Sequence, residues 1–248
     1  MEGAGADTWG IIGLSLKVAF WSVAASLPPA LATAYMLARA RFPGKVLVDA
    51  VVHLPLVLPP VVIGFGLLLL LGRNGPLGSL LAPLGVTFAF KWTGAALAAA
   101  VMGFPLLVRA IRLSLESMDR RLESAARTLG AGPWRAFLTV TLPIILPGIA
   151  TGVLLSFARS LGEFGATITF VSNIPGETQT LPLAIYGFTQ VPGGEAEALR
   201  LSAVSVVISL AALAASEWLA RRSRGPGARR SEERRVGKEG RSRWAPYH

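Results

Sequence analysis

Apolar residues in this chain come in long blocks with few interruptions: Ile11–Leu37, Val46–Leu71, Thr93–Leu113, Leu138–Leu161 and Leu199–Leu219. Each block reaches the length of about 20 residues that a helix needs to cross the hydrocarbon core of a bilayer. In hydrocarbon every backbone N–H and C=O must be paired within the segment, so an isolated block of this kind predicts a helix. The pattern therefore predicts an all-α membrane protein with about five transmembrane helices. A further apolar run, Leu181–Val191, is too short to cross and predicts a re-entrant or interfacial helix at the outer face. Prolines fall inside or beside the blocks at Pro28, Pro29, Pro55, Pro59, Pro60, Pro105, Pro143 and Pro147. Each removes a backbone donor and crowds the preceding turn, so kinked or broken helices are expected.

The polar stretches between blocks differ in charge, and that difference predicts an orientation. The Arg39–Lys45 connection holds three basic residues and Arg109–Arg135 holds six, whereas Leu161–Leu199 has none and carries Glu163, Glu177, Glu195 and Glu197. This asymmetry places the N-terminus outside and the C-terminus in the cytoplasm. Only 15% of residues are charged, against about 25% in soluble domains, and 52% are hydrophobic. The net charge of +10 is concentrated in the tail, where 221–248 holds ten Lys/Arg against three Asp/Glu. The body has no basic face, which argues against a nucleic-acid partner. There is no cysteine, and the two histidines, His53 and His248, cannot make a metal cluster. Met1–Gly10 lacks the basic start of an export signal, so the first block is expected to stay attached as a helix. The end, 230–248, is polar and aperiodic; it resembles the translated read-through of a sequencing-library adapter, with a genuine disordered basic tail as the alternative. No function is assigned to it.

The connection of about 114–137 carries the most informative pattern. From Asp119 to Leu129 it reads as a short amphipathic helix in which Glu123 and Arg127, one turn apart, can pair. Gly130 and Gly132 can end that helix in left-handed conformations, and Pro133 suits the first turn of the next. In this stretch Ala125-Ala126 is followed by three residues and Gly130, then nine residues and Val140-Thr141-Leu142-Pro143. The spacing resembles the loop of binding-protein-dependent type I ABC importer permeases whose pattern is Glu-Ala-Ala, three residues, Gly, nine residues, Ile-x-Leu-Pro. Ser124 stands where that family usually has Glu, with Glu123 one place earlier, and Val140 replaces Ile.

Two further stretches, His53–Gly64 and Phe157–Thr180, are similar to the molybdate branch of these permeases. The resemblance covers about Leu14 to Leu219 and implies a transmembrane domain over 8–220 that imports molybdate, and also tungstate, across the inner membrane. A sulfate, thiosulfate or tungstate-preferring permease is the alternative. It implies a homodimer, two cytoplasmic ATPase subunits that dock on the Glu123-Ser124-Ala125-Ala126, Gly130 and Leu142-Pro143 loop, and an extracytoplasmic binding protein. The chain has no G-x-x-x-x-G-K-[ST] phosphate loop. ATP and Mg would accordingly belong to the partner ATPase, with no cofactor and no catalytic residue on this chain.

A tetrahedral dianion needs hydrogen-bond donors and few fixed negative charges along its route. Thr167, Thr169, Ser172 and Asn173 are candidate donors for a path or outer gate, together with Arg159 and Glu163. Arg159 can instead form a one-turn ion pair with Glu163. Asp49 and His53 are expected to pair locally, Lys17 to snorkel outward, and Gly148 with Gly152 to permit close helix approach.

Overall fold

The structure, a computed structural model, describes residues 3–223, so the expectations for 224–248 lie outside the described residues. Among the described residues it is helical throughout, without strands. The chain runs through α1 (Gly3–Arg39), α2 (Lys45–His53), α3 (Pro60–Leu71), α4 (Pro76–Leu81), α5 (Trp92–Ser117), α6 (Arg120–Thr128), α7 (Pro133–Ala136), α8 (Leu142–Leu161), α9 (Gly165–Val171), α10 (Leu181–Thr189) and α11 (Glu195–Ser223). Short 3₁₀ turns at Leu54–Leu56 and Ala82–Leu84, and a π turn at Phe137–Thr141, fill the gaps.

Helix α5 is the centre. Its apolar window is 67% buried, against 39% for α1 and 22% for the continuous run Pro133–Leu161, so the other two pack around it. The face α1 turns inward is a stripe at helical spacing: Ile11, Ser15, Val18, Ser22, Ser26, Ala30, Ala34 and Leu37. Most of these side chains are small. Lipid offers no hydrophobic drive for helix association, so contact must come from close backbone approach and dispersion. The α5–α8 seam follows the same logic. A Cβ on Gly152 would lie 3.2 Å from Ala110 Cβ, and one on Gly148 would collide with Ser114 Cβ. The Gly148/Gly152 pair thus does permit close approach. Buried polar bonds cross the bundle from the inner stripe of α1: Ser22 Oγ donates to Ser160 Oγ at 2.9 Å, and Ser15 Oγ accepts from the Leu181 amide at 2.7 Å.

The expected crossing over Val46–Leu71 is not a single helix. It breaks into α2, the Leu54–Leu56 turn and α3, and the two halves meet at 109°. Pro55, Pro59 and Pro60 explain the break, since none can donate to the helix ladder and Pro59 is extended at ψ 134°. Three helical runs are long and apolar enough to cross a membrane, or four if the bent pair counts as one. The last expected span, Leu199–Leu219, lies within α11. The short run Leu181–Val191 becomes α10, whose nine residues are less than half the length of about 20 needed to cross, as expected.

Helix α3 lies against α9 at Gly64, where an added Cβ would sit 2.8 Å from Ala166 Cα and closer still to its carbonyl oxygen. Gly66, two residues on, has open space around it. Gly64→Ala should therefore destabilise the purified protein by about 1–3 kcal/mol through overpacking. Gly66→Ala should be neutral or slightly stabilising, because alanine favours helix by about 1 kcal/mol over glycine. Thermal unfolding of the two variants in detergent checks the contrast.

Candidate functional site

The connection between α5 and α8 folds into a compact elbow. Met118 is extended and ends α5. Asp119 then caps α6, its carboxylate accepting from the Arg121 amide at 2.9 Å. At the other end Gly130 takes φ +88°. The Gly130 amide donates to Arg127 O at 3.0 Å and the Ala131 amide to Ala126 O at 3.1 Å. This double bond pattern around a left-handed glycine closes the helix on its own carbonyls. Gly132, expected to be left-handed too, is extended at φ −63° and ψ 164°, because the chain must straighten to enter α7 at Pro133. The π turn then delivers Leu142 and Pro143 to the start of α8, with Leu142 half-buried and Pro143 exposed.

The elbow's outer surface sets two large apolar side chains among the exposed Arg120, Arg121, Arg127 and Arg135. Leu129 is 89% and Trp134 76% exposed. Ser124 and Ala125 are exposed and Ala126 half-buried. Ser124 Oγ donates weakly to Arg120 O at 3.3 Å. Glu123 does not pair with Arg127 as expected. Its carboxylate turns inward and lies 3.7 Å from the Arg39 guanidinium at the end of α1. Arg39 was legible in the sequence only as part of a basic loop, and nothing local linked it to Glu123.

At the opposite end of α8 the second group of candidates gathers around α9. Arg159 Nη1 and Glu163 Oε2 are 2.6 Å apart, the one-turn ion pair expected. Glu163 is buried at 2% exposure, and its other oxygen accepts from the Ala166 amide at 2.7 Å. The carboxylate thus caps α9 at the end where the helix dipole favours negative charge. Thr167 Oγ1 donates to Phe164 O and Thr169 Oγ1 to Gly165 O, each at 2.8 Å, so both hydroxyl protons are used within α9. Ser172 is exposed and holds φ +63°, a left-handed value at a non-glycine position. Asn173 Nδ2 donates to Leu183 O at 3.0 Å, tying the loop to α10. Thr178, fully buried, organises the rest of the loop by accepting from the Ile174 amide at 2.9 Å. Glu177 reaches α5, accepting from the Trp92 amide at 3.4 Å. Lys17 lies 3.8 Å over the Trp92 ring, a cation–π contact in place of the expected reach outward.

Two cavities among the described residues bear on a solute route, one beside these groups and one lined by α2 and α5. One of about 490 Å³ is lined by side chains such as Leu161, Phe164, Leu181, Ile185 and Tyr186 and has no charged lining residue, which does not suit a dianion. The other, of about 350 Å³, is lined by Asp49, His53, Arg109, Arg112, Leu113 and Glu116. There Arg112 bridges Asp49 at 2.7 Å and Glu116 at 2.8 Å, and His53 Nδ1 lies 2.8 Å from Asp49 O. The expected local pairing of Asp49 and His53 is present, with Arg112 as a third member that the sequence spacing did not suggest.

Residues 30–225 match the family of binding-protein-dependent transport system inner membrane components. The chain belongs to this family. Among its relatives, the molybdenum transport system permease protein ModB of Escherichia coli is 60% identical over 217 residues, covering 87% of this chain and 95% of that one. The sulfate transport system permease protein CysW of Synechococcus elongatus is 41% identical, covering 79% of this chain and 70% of that one. Among solved structures, a bacterial alginate ABC transporter in complex with an alginate pentasaccharide-bound periplasmic protein aligns with a TM-score of 0.69 at 18% identity, covering 86% of this chain and 78% of that chain. The fold is that of a type I ABC transporter membrane subunit, and the elbow occupies the stretch whose spacing resembles the family's coupling loop.

The geometry at Glu163 predicts a stability hierarchy for this permease. Glu163→Leu removes both the cap and the partner of Arg159 and should cost about 3 kcal/mol or more, as for breaking a buried pair. Glu163→Gln keeps an acceptor for the Ala166 amide and should cost less. Thermal melts of the two variants and of Arg159→Met in detergent measure the order.

Proposed function

We propose that this permease is the membrane-spanning subunit of an ATP-driven importer of molybdate, with tungstate as a second substrate because it matches molybdate in size and charge. The observation that carries the reading is the 60% identity to the molybdenum permease over nearly the full length of both chains, against 41% to the sulfate permease. In this reading the chain makes no covalent bond. Two copies enclose the route in the inner membrane, two cytoplasmic ATPase subunits hold the nucleotide and Mg, and an extracytoplasmic receptor selects the oxyanion.

The elbow supports the coupling role on physical grounds. A lever must be stiffer than the joint it turns. Helix α6 is capped at both ends within the elbow itself, and the exposed Leu129 and Trp134 supply an apolar knob for a partner's cleft. Closure of an ATPase pair around such knobs turns the attached helices and alternates access to the route.

Uptake of labelled molybdate by cells expressing the permease with its ATPase and receptor tests this reading. Uptake should vanish when the ATPase phosphate-loop lysine is replaced, and should survive a large excess of sulfate. Uptake that persists without ATP hydrolysis would indicate a passive channel, and equal competition by sulfate would move the chain to the sulfate branch. Gly130→Pro should abolish uptake while the protein still inserts, since proline cannot adopt φ +88°. Membrane abundance on immunoblots separates that loss of coupling from loss of protein.

A further inference from the structure

The elbow is joined by the chain to α5 and α8, but not to α1, which is separated from it by residues 40–119. Three contacts nevertheless bind the elbow to the last turns of α1. Arg120 Nη2 donates to Ala38 O at 3.2 Å. Glu123 faces Arg39 at 3.7 Å, with the two side chains only 18% and 13% exposed. The Phe137 ring meets the Tyr35 ring edge-on at 5.6 Å between centroids. Arg120 and Glu123 are three residues apart and so share one face of α6. Tyr35, Ala38 and Arg39 likewise share the end of α1.

We propose that Glu123 is a positioning residue that ties the elbow to α1 through Arg39, so that α1 moves with the elbow during transport. This rests on the coupling reading above. The Arg39 guanidinium is the reason the tie matters. Its Nε and Nη2 are buried without a hydrogen bond, so Glu123 is the charge that makes its burial tolerable. Pulling the elbow away from α1 exposes that cost, which holds the two together. The neighbouring Ser124 is exposed, so it, rather than Glu123, is placed to meet another molecule. The family pattern puts Glu at the position of Ser124. Here the adjacent carboxylate points the other way and serves the chain itself.

The test uses the assembled transporter, with its ATPase and receptor, reconstituted in lipid vesicles. The readouts are ATPase co-purification, ATP hydrolysis and molybdate delivered per ATP. Glu123→Gln and Arg39→Gln should each leave co-purification and hydrolysis intact but lower delivery per ATP by about tenfold, the scale of a coupling between contacting charges. The exchange Arg39→Glu with Glu123→Arg should restore most of that loss. Unchanged delivery in the single variants overturns the tie. So does a loss of ATPase co-purification in Glu123→Arg that the exchange does not repair, which would place Glu123 in the partner interface. Because the natural chain lacks cysteine, a second arm replaces both residues by cysteine and bridges them with a short bifunctional thiol reagent. Bridging should raise delivery above that of the unbridged pair, and a bridge that blocks transport overturns the proposal. A wild-type assembly that hydrolyses ATP and delivers no molybdate would instead refute the permease reading, whatever Glu123 does.

Discussion

The bundle depends on how closely its helices can approach. In a bilayer the surroundings of a leucine are as apolar as the protein interior, so burying it against a neighbour gains little from water exclusion. What remains is dispersion, which falls steeply with distance. The structure meets that constraint with alanine, serine and glycine along the inner stripe of α1, the centre of α5 and the facing side of α8. Gly64 against Ala166 extends the same solution to α3 and α9. Large apolar side chains such as Phe20, Phe65 and Leu113 are exposed on the outside of this single chain, where lipid or a second copy can receive them.

The parts that were legible in the sequence are those set by local rules. Apolar block length predicted the helices, Asp119 and Gly130 marked the ends of α6, and Arg159 with Glu163 was a visible one-turn pair. The broken crossing at Pro55–Pro60 was legible as a kink but not as a turn of 109°, since proline spacing does not set an angle. The partners of Glu123 and Asp49 were hidden for a different reason. Arg39 and Arg112 lie far away in sequence; short-range spacing offered Arg127 for Glu123, which the fold does not use, and His53 for Asp49, which it keeps and supplements with Arg112. The choice among such partners is made by tertiary packing.

The candidate donors near α9 illustrate the limit of reading chemistry from residue type. Thr167 and Thr169 have the hydroxyls an oxyanion would favour, yet each spends its proton on a carbonyl of its own helix. Serine and threonine in apolar helices often satisfy themselves in this way. Arg159 is likewise engaged by Glu163. Polarity in this region is used first to hold α8, α9 and α10 in place, with Glu163 and Asn173 as the anchors.

The π turn at Phe137–Thr141 sets the rotational phase between elbow and bundle. The buried positions run Ala136, Thr141, Ile145, Ile149, Gly152, Ser156 and Ser160. All but the first step are three or four residues, the repeat of one helical face. The first is five, and a plain α-helix would carry that residue away from the stripe. The wider turn absorbs the surplus residue, like a shim in a shaft, so that Ala136 and the inner side of α8 fall on one continuous buried stripe. The angular setting of the elbow and the buried side of the helix below it are thereby written into a single turn of backbone.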